Sequence, residues 1–81
     1  MDVVLEDRYW EGVPPEAQAL LDAWHAEPGA HLRKGDPLAR VVLVKTVVEI
    51  DAPADGTLEA VLVPAAAQFS RGQALARIRE G

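Results

Sequence analysis

The chain repeats itself, and that repeat limits its folding options more than any other feature. Gly35-Asp36-Pro37-Leu38-Ala39-Arg40-Val41 returns 37 positions later as Gly72-Gln73-Ala74-Leu75-Ala76-Arg77-Ile78. At the same offset Ala30 matches Ala67, Leu32 matches Phe69, Lys34 matches Arg71 and Trp24 falls on Val61. Each half offers an apolar strand, a bend, an anchoring side chain (Leu32 or Phe69), a glycine turn and a second apolar strand. Neither half can bury its apolar face alone. With 81 residues there is room for one core, so the two halves are expected to pack on each other as one domain over 1–81, related by an approximate two-fold. Gly12 stands sixteen residues before Pro28 and Gly56 eight before Pro64, so the first half carries an additional loop.

Turn signals set the class. Pro28-Gly29, Lys34-Gly35-Asp36-Pro37, Ala52-Pro53-Ala54-Asp55-Gly56, Pro64 and Ser70-Arg71-Gly72 punctuate the chain after Glu27. Between them Leu38–Val44, Thr46–Ile50, Thr57–Val63 and Ala74–Ile78 are rich in Leu and β-branched residues, which predicts strands in an all-β architecture. Val3–Trp10 reads as a further short strand. Pro15-Glu16 ahead of Ala17–Ala23 reads as a helix start, or as a helical turn feeding a strand that contains Trp24; Leu20, Leu21 and Trp24 suit either. A short helical or irregular insertion is therefore expected near residues 13–23. Trp24, Leu32 and Phe69 are candidate core anchors, Trp10 a candidate for core or for a partner surface, and Pro14-Pro15 a stiffened loop.

Charge and composition remove whole classes of function. Eight Lys and Arg against thirteen Asp and Glu leave a net −5, a poor match for nucleic acid or an anionic membrane. No stretch approaches the roughly 20 apolar residues of a membrane span, and no basic region leads an apolar run at the N-terminus, so a cytoplasmic protein is expected. There is no cysteine to serve as nucleophile, metal ligand or disulfide partner. His25 and His31 lack convergent carboxylates and read as surface or half-buried residues, so no metal site is expected. Glu49, Asp51 and Asp55 flank turns where Asp usually serves the backbone, and Gly35-Asp36 is a turn without the Gly-Lys-Ser/Thr of a phosphate loop. No catalytic constellation emerges.

Lys45 stands out by position. Ten residues from Val41 to Ile50 make a long strand for so small a domain, so a tight hairpin with Lys45-Thr46 at its tip is expected. Neither residue suits a positive φ, and a local preference overridden in this way is where function is worth seeking.

Lys45-Thr46-Val47-Val48-Glu49-Ile50-Asp51-Ala52-Pro53-Ala54-Asp55-Gly56 resembles the segment that follows the modified lysine of lipoyl domains. Glu27-Pro28-Gly29 with Leu32-Arg33-Lys34-Gly35-Asp36-Pro37-Leu38 resembles the same family upstream, and Phe69–Ile78 its closing strand pair; together the likeness spans roughly residues 24–81. It implies the flattened β-barrel, or barrel-sandwich hybrid, of lipoyl and biotinyl domains. It also implies lipoate amide-linked to Lys45 by a lipoate ligase, with the arm shuttling acyl groups and electrons among the dehydrogenase and acyltransferase components of a 2-oxo acid dehydrogenase complex. Biotin, added by a biotin ligase in a carboxylase or decarboxylase, is the alternative cofactor. Val44 and Thr46 replace the Asp and the small residue usual beside a lipoyl lysine, and the Met pair usual beside a biotinyl one. A barrel that kept its shape as an unmodified interaction module is thus a third reading. Val13–Ala23 occupies the place of the surface loop that in lipoyl domains helps partner enzymes recognise the carrier.

Overall fold

The computed structural model describes residues 1–14 and 16–80. Eight strands form two four-stranded sheets, and every ladder is antiparallel. In chain order they are β1 (Asp2–Val4), β2 (Ala19–Trp24), β3 (His31–Leu32), β4 (Pro37–Leu43), β5 (Thr46–Asp51), β6 (Gly56–Val61), β7 (Gln68–Phe69) and β8 (Ala74–Glu80). One sheet has the order β1-β8-β6-β3 and the other β5-β4-β2-β7. The architecture is the all-β sandwich of two similar halves that the repeat calls for. It is not a closed barrel: the edges of β1 and β5 share no ladder, and an opening of about 320 Å³ lies between them.

The repeat is carried down to single hydrogen bonds. Shifted by 37 residues, β2, β3 and β4 become β6, β7 and β8 without a change in either boundary. The β2–β4 ladder slips between Leu21 and Ala23, and the β6–β8 ladder slips between Leu58 and Ala60, at the same offset. The Gly29 N–H donates to the Leu58 carbonyl and the Ala66 N–H to that of Leu21, at 2.8 and 2.7 Å. Gly29 and Ala66 both have positive φ.

The halves differ in one place. Fourteen residues, 5–18, join β1 to β2, whereas four, 52–55, join β5 to β6. The expected extra loop is therefore present, but Gly12 is not the counterpart of Gly56; Ala19 is. Two local expectations are also corrected. Val3–Trp10 is a strand only as far as Val4, and Asp7–Trp10 forms a 3₁₀ turn that carries Trp10 into the core, 2% exposed. No helix forms over 16–23. Ala19–Trp24 is strand, held between β4 and β7, with Ala19 and Leu21 fully buried in alternation. Two ladders and period-two burial outweigh the weak helical preference of an Ala- and Leu-rich run. Val13, Pro14 and residues 16–18 lie in no strand or helix, and the expected start at Pro15 lies outside the described residues.

Two apolar clusters fill the sandwich. The larger gathers Leu5, Trp10, Leu21, Leu43, Val48 and Phe69 among others; the smaller is built on Leu32, Leu38, Leu58 and Ile78. Leu32 and Phe69 thus anchor one cluster each. Trp24 is half-buried, touches both clusters, and donates from Nε1 to the Val63 carbonyl at 2.9 Å. The Trp10 ring stands edge-on to Phe69, 6.2 Å between centroids, and its buried Nε1 has no partner. That orphan donor offsets part of what burying the ring contributes.

Gly56 marks the tightest approach in the fold. A Cβ there would run into the backbone oxygen of Arg79 and lie 2.9 Å from Ile78 Cγ2, both on the neighbouring strand β8. Gly56→Ala is expected to cost about 2 kcal/mol, because a backbone atom cannot rotate away as a side chain can. Urea denaturation at constant m-value measures it; a loss below about 0.5 kcal/mol would show that β6 simply slides outward.

Candidate functional site

The hairpin β4–β5 projects Lys45 at one pole of a molecule 37 Å long. The rotation that maps β4 onto β8 carries Leu43 to Glu80, so the start of β1 and the close of β8 lie at the other pole; there the Met1 amino group donates to the Ile78 carbonyl at 2.9 Å. Leu43 pairs with Thr46, so the two-residue turn is Val44-Lys45, one residue earlier than expected from the sequence. The ladder slips once between Pro37 and Ala39, and two backbone bonds close it beyond that slip. The Ala52 N–H donates to the Asp36 carbonyl at 2.8 Å, and the Gly35 N–H donates to the Ala52 carbonyl at 2.9 Å.

The earlier turn forces Val44 to φ 57°, while Lys45 keeps a negative φ. A positive φ at the first central position alone is the φ signature of a II′ turn, normally filled by Gly. A β-branched residue there crowds its own backbone. Val44 is 61% exposed, so little apolar burial compensates. Val44→Asn is therefore expected to stabilise the domain by about 1 kcal/mol, since Asn tolerates the left-handed region. An unchanged or lowered urea midpoint would contradict this account of the turn.

Lys45 is exposed, and among the described residues its Nζ takes part in no ion pair. Lys34, the chain's other lysine, lies in the turn between β3 and β4, where its N–H donates to Asp55 Oδ1 at 2.7 Å. Two surfaces flank the Lys45 turn. On the outer face of the sheet, cross-strand pairing lines up Val47, Val42 and Leu20, an apolar row that begins two residues from the lysine. Val47 is 61% exposed and the other two are half-buried. On the inner side the long loop of the first half, from Tyr9 to Pro14, lies against the hairpin and leaves an open groove of about 270 Å³.

Behind the apolar row is a charged one. Arg40 Nε donates to Glu49 Oε1 at 3.0 Å, Arg40 Nη1 lies 3.7 Å from Asp22, and His25 Nε2 lies 3.1 Å from Glu49 Oε2. The Arg40 hydrogen bond, and then that of His25, hold the Glu49 carboxyl below the usual carboxylate range. The repeat makes an equivalent pair in the other sheet, Arg77 with Asp2 at 3.5 Å. All these groups are exposed, and such pairs set cross-strand preference more than stability.

The structure thus separates the polar residues singled out from the sequence. Asp55 and Asp36 bind backbone N–H groups, those of Lys34 and Arg33, as expected beside turns. Glu49 does not; it pairs across the strand. Asp51 closes β5. His31 Nδ1 lies 3.3 Å from Thr57 Oγ1, on the sheet that does not carry Lys45. Among the described residues no group of three or more His, Asp or Glu side chains is arranged to hold a metal ion. No helix among them is long and apolar enough to cross a membrane. Two features escaped sequence reasoning: the groove, and the role of Tyr9 and Trp10 in building its wall. An aromatic pair just ahead of a Gly-Val-Pro turn was the available signal.

Comparison with known proteins places the whole chain in one family. The profile of the Biotin_lipoyl family, described as "Biotin-requiring enzyme", matches residues 14–78. The dihydrolipoyllysine-residue succinyltransferase component of the 2-oxoglutarate dehydrogenase complex is 37% identical over 65 residues in Escherichia coli K12, and equally so in Escherichia coli O157:H7. The match covers 80% of this chain and 16% of those proteins, so the chain spans about a sixth of their length. Among solved structures, the lipoyl domain of the 2-oxoglutarate dehydrogenase complex from Azotobacter vinelandii superposes with a TM-score of 0.81 at 22% identity, covering 100% of this chain and 98% of that one.

Proposed function

We propose that this chain, which belongs to the Biotin_lipoyl family, is a single lipoyl carrier domain whose attachment point is Lys45. The observation that carries the reading is the placement of Lys45: an exposed amine on a two-residue turn at the tip of the β4–β5 hairpin. An acylating ligase needs an amine it can surround, and Lys45 meets that need at a projecting hairpin tip, whereas Lys34, also exposed, sits in a turn whose backbone is tied to Asp55. The likeness to succinyltransferase components supports lipoate over biotin. It also supports a place in the acyltransferase component of a 2-oxo acid dehydrogenase complex, among its dehydrogenase partners.

A lipoyl group on this amine supplies a dithiolane that accepts electrons and an acyl group; the chain supplies position. Amidation removes the Lys45 charge. The ladder from Leu43–Thr46 back to Pro37–Asp51 gives the turn a stiff base, so the range of the arm is set by its own bonds and not by bending of the sheet. The row Val47, Val42 and Leu20, with the charges behind it, gives a partner enzyme an apolar patch and a polar rim to grip beside the arm.

Co-expression with a lipoate–protein ligase, followed by intact mass and peptide mapping, tests this. One lipoyl increment is expected on the peptide containing Lys45 and none on that containing Lys34. A biotin increment from the host ligase would move the protein to the carboxylase class. An unmodified Lys45 beside fully modified control carriers would leave an interaction module.

A further inference from the structure

The groove at the Lys45 pole is built by the one part of the chain that breaks the repeat. Its floor is the inner face of the hairpin, Leu43, Thr46 and Val48; its wall is Tyr9, Val13 and Pro14; Val44 closes its near end. Among the described residues Glu11 is the only charged one along it. The wall is pinned and not merely draped. The Val13 N–H donates to the Trp10 carbonyl at 3.0 Å, and Trp10 is sunk in the larger cluster. The Tyr9 ring is clamped by Arg8, whose guanidinium lies 4.7 Å from the ring centroid while Nη2 donates to the Tyr9 hydroxyl at 3.0 Å. The groove is thus preformed, and its apolar lining gains by covering.

We propose that this groove receives the aliphatic part of the lipoyl group on Lys45, so that the arm divides its time between solvent and a laid-back position against Val13 and Val48. The inference rests on the carrier reading above. Two observations select the chain's own arm as occupant. Both sequence neighbours of Lys45, Val44 and Thr46, line the groove, so a chain amide-linked to Lys45 starts at its rim and meets it at high effective concentration. The groove is also open and lined more by apolar than by polar surface, about 270 Å³, which suits a hydrocarbon chain better than a strongly charged ligand. Val44 matters here too, because a charged side chain in its place would stand at the entrance.

The test uses the fully lipoylated domain, its loading first established by mass. Isotope-filtered nuclear Overhauser spectra are expected to connect arm methylenes with the methyls of Val13 and Val48. Loading is also expected to shift the amide resonances of Glu11, Gly12 and Val13. In Val13→Asp both effects should vanish while Lys45 remains modified; Val13→Thr, a milder change, should weaken them and covers the case in which the aspartate variant does not fold. Shifts confined to Val44, Lys45 and Thr46, with no contact to Val13 or Val48, would overturn the groove and leave the carrier reading standing. Failure of the ligase to modify Lys45 at all would overturn both, and mass alone reveals it.

Discussion

Lys45→Arg is expected to give a folded domain that accepts no lipoyl group. The guanidinium stays protonated under all ordinary conditions and cannot serve as the nucleophile in amide formation, so the effect is complete loss and not attenuation. The fold should not notice. Lys45 is exposed and free of ion pairs among the described residues, and Arg keeps its charge and length, so stability should stay within about 0.5 kcal/mol of the parent. Lys34→Arg is the paired control and should be modified as the parent is. A lipoyl increment surviving Lys45→Arg would relocate the site. A loss of more than about 2 kcal/mol would make Lys45 structural instead.

The second large effect lies in the core. Phe69 is 1% exposed, pairs with Ala19 across the β2–β7 ladder and meets the edge of Trp10. Phe69→Ala removes most of a ring from the larger cluster, and the sandwich can collapse into the void only by moving β7 or the Trp10 turn. A cost of about 4 kcal/mol is expected. For a chain of this length that is a large share of a total of roughly 4–12 kcal/mol. Leu32→Ala, at the equivalent position in the smaller cluster, should cost less, about 3 kcal/mol. Urea denaturation of the two variants decides it; equal and small losses, below about 1.5 kcal/mol each, would mean that the anchors are not what holds the sheets together.

The repeat made most of this fold legible. Because Gly35–Val41 and Gly72–Ile78 are the same device used twice, β4 and β8 follow from one offset, and Leu32 and Phe69 follow as anchors; the structure extends that offset to six of the eight strands. What misled was local. Leu20, Leu21 and Trp24 satisfy a helical spacing and an extended one alike, and only the partners β4 and β7, remote in sequence, choose between them. The Lys45 turn was legible as a hairpin but not in register. Turns at Val44-Lys45 and at Lys45-Thr46 both leave Val41, Leu43 and Val48 facing inward, so alternation cannot separate them. The paired register is reached across a slip between Pro37 and Ala39, which offsets the tip by one residue from the pairing around Asp36 and Ala52, and Val44 absorbs the resulting strain. The groove left only one trace, the aromatic pair Tyr9-Trp10 ahead of a Gly-Val-Pro turn, because whether an inserted loop folds back on a hairpin is decided by tertiary packing.

The adjoining ends have a consequence for the chain's topology. Met1 and Ile78 are hydrogen-bonded neighbours, β1 lies beside β8 as β5 lies beside β4, and the start of β1 and the close of β8 occupy the place that symmetry reserves for a second hairpin turn. A circular permutant that joins those ends by a short link and opens the chain at Val44-Lys45 would follow the same ladders in the same spatial order, with the two halves exchanging their places in the sequence. Its new termini would flank the carrier lysine, and the old ones would become a tip with nothing to carry.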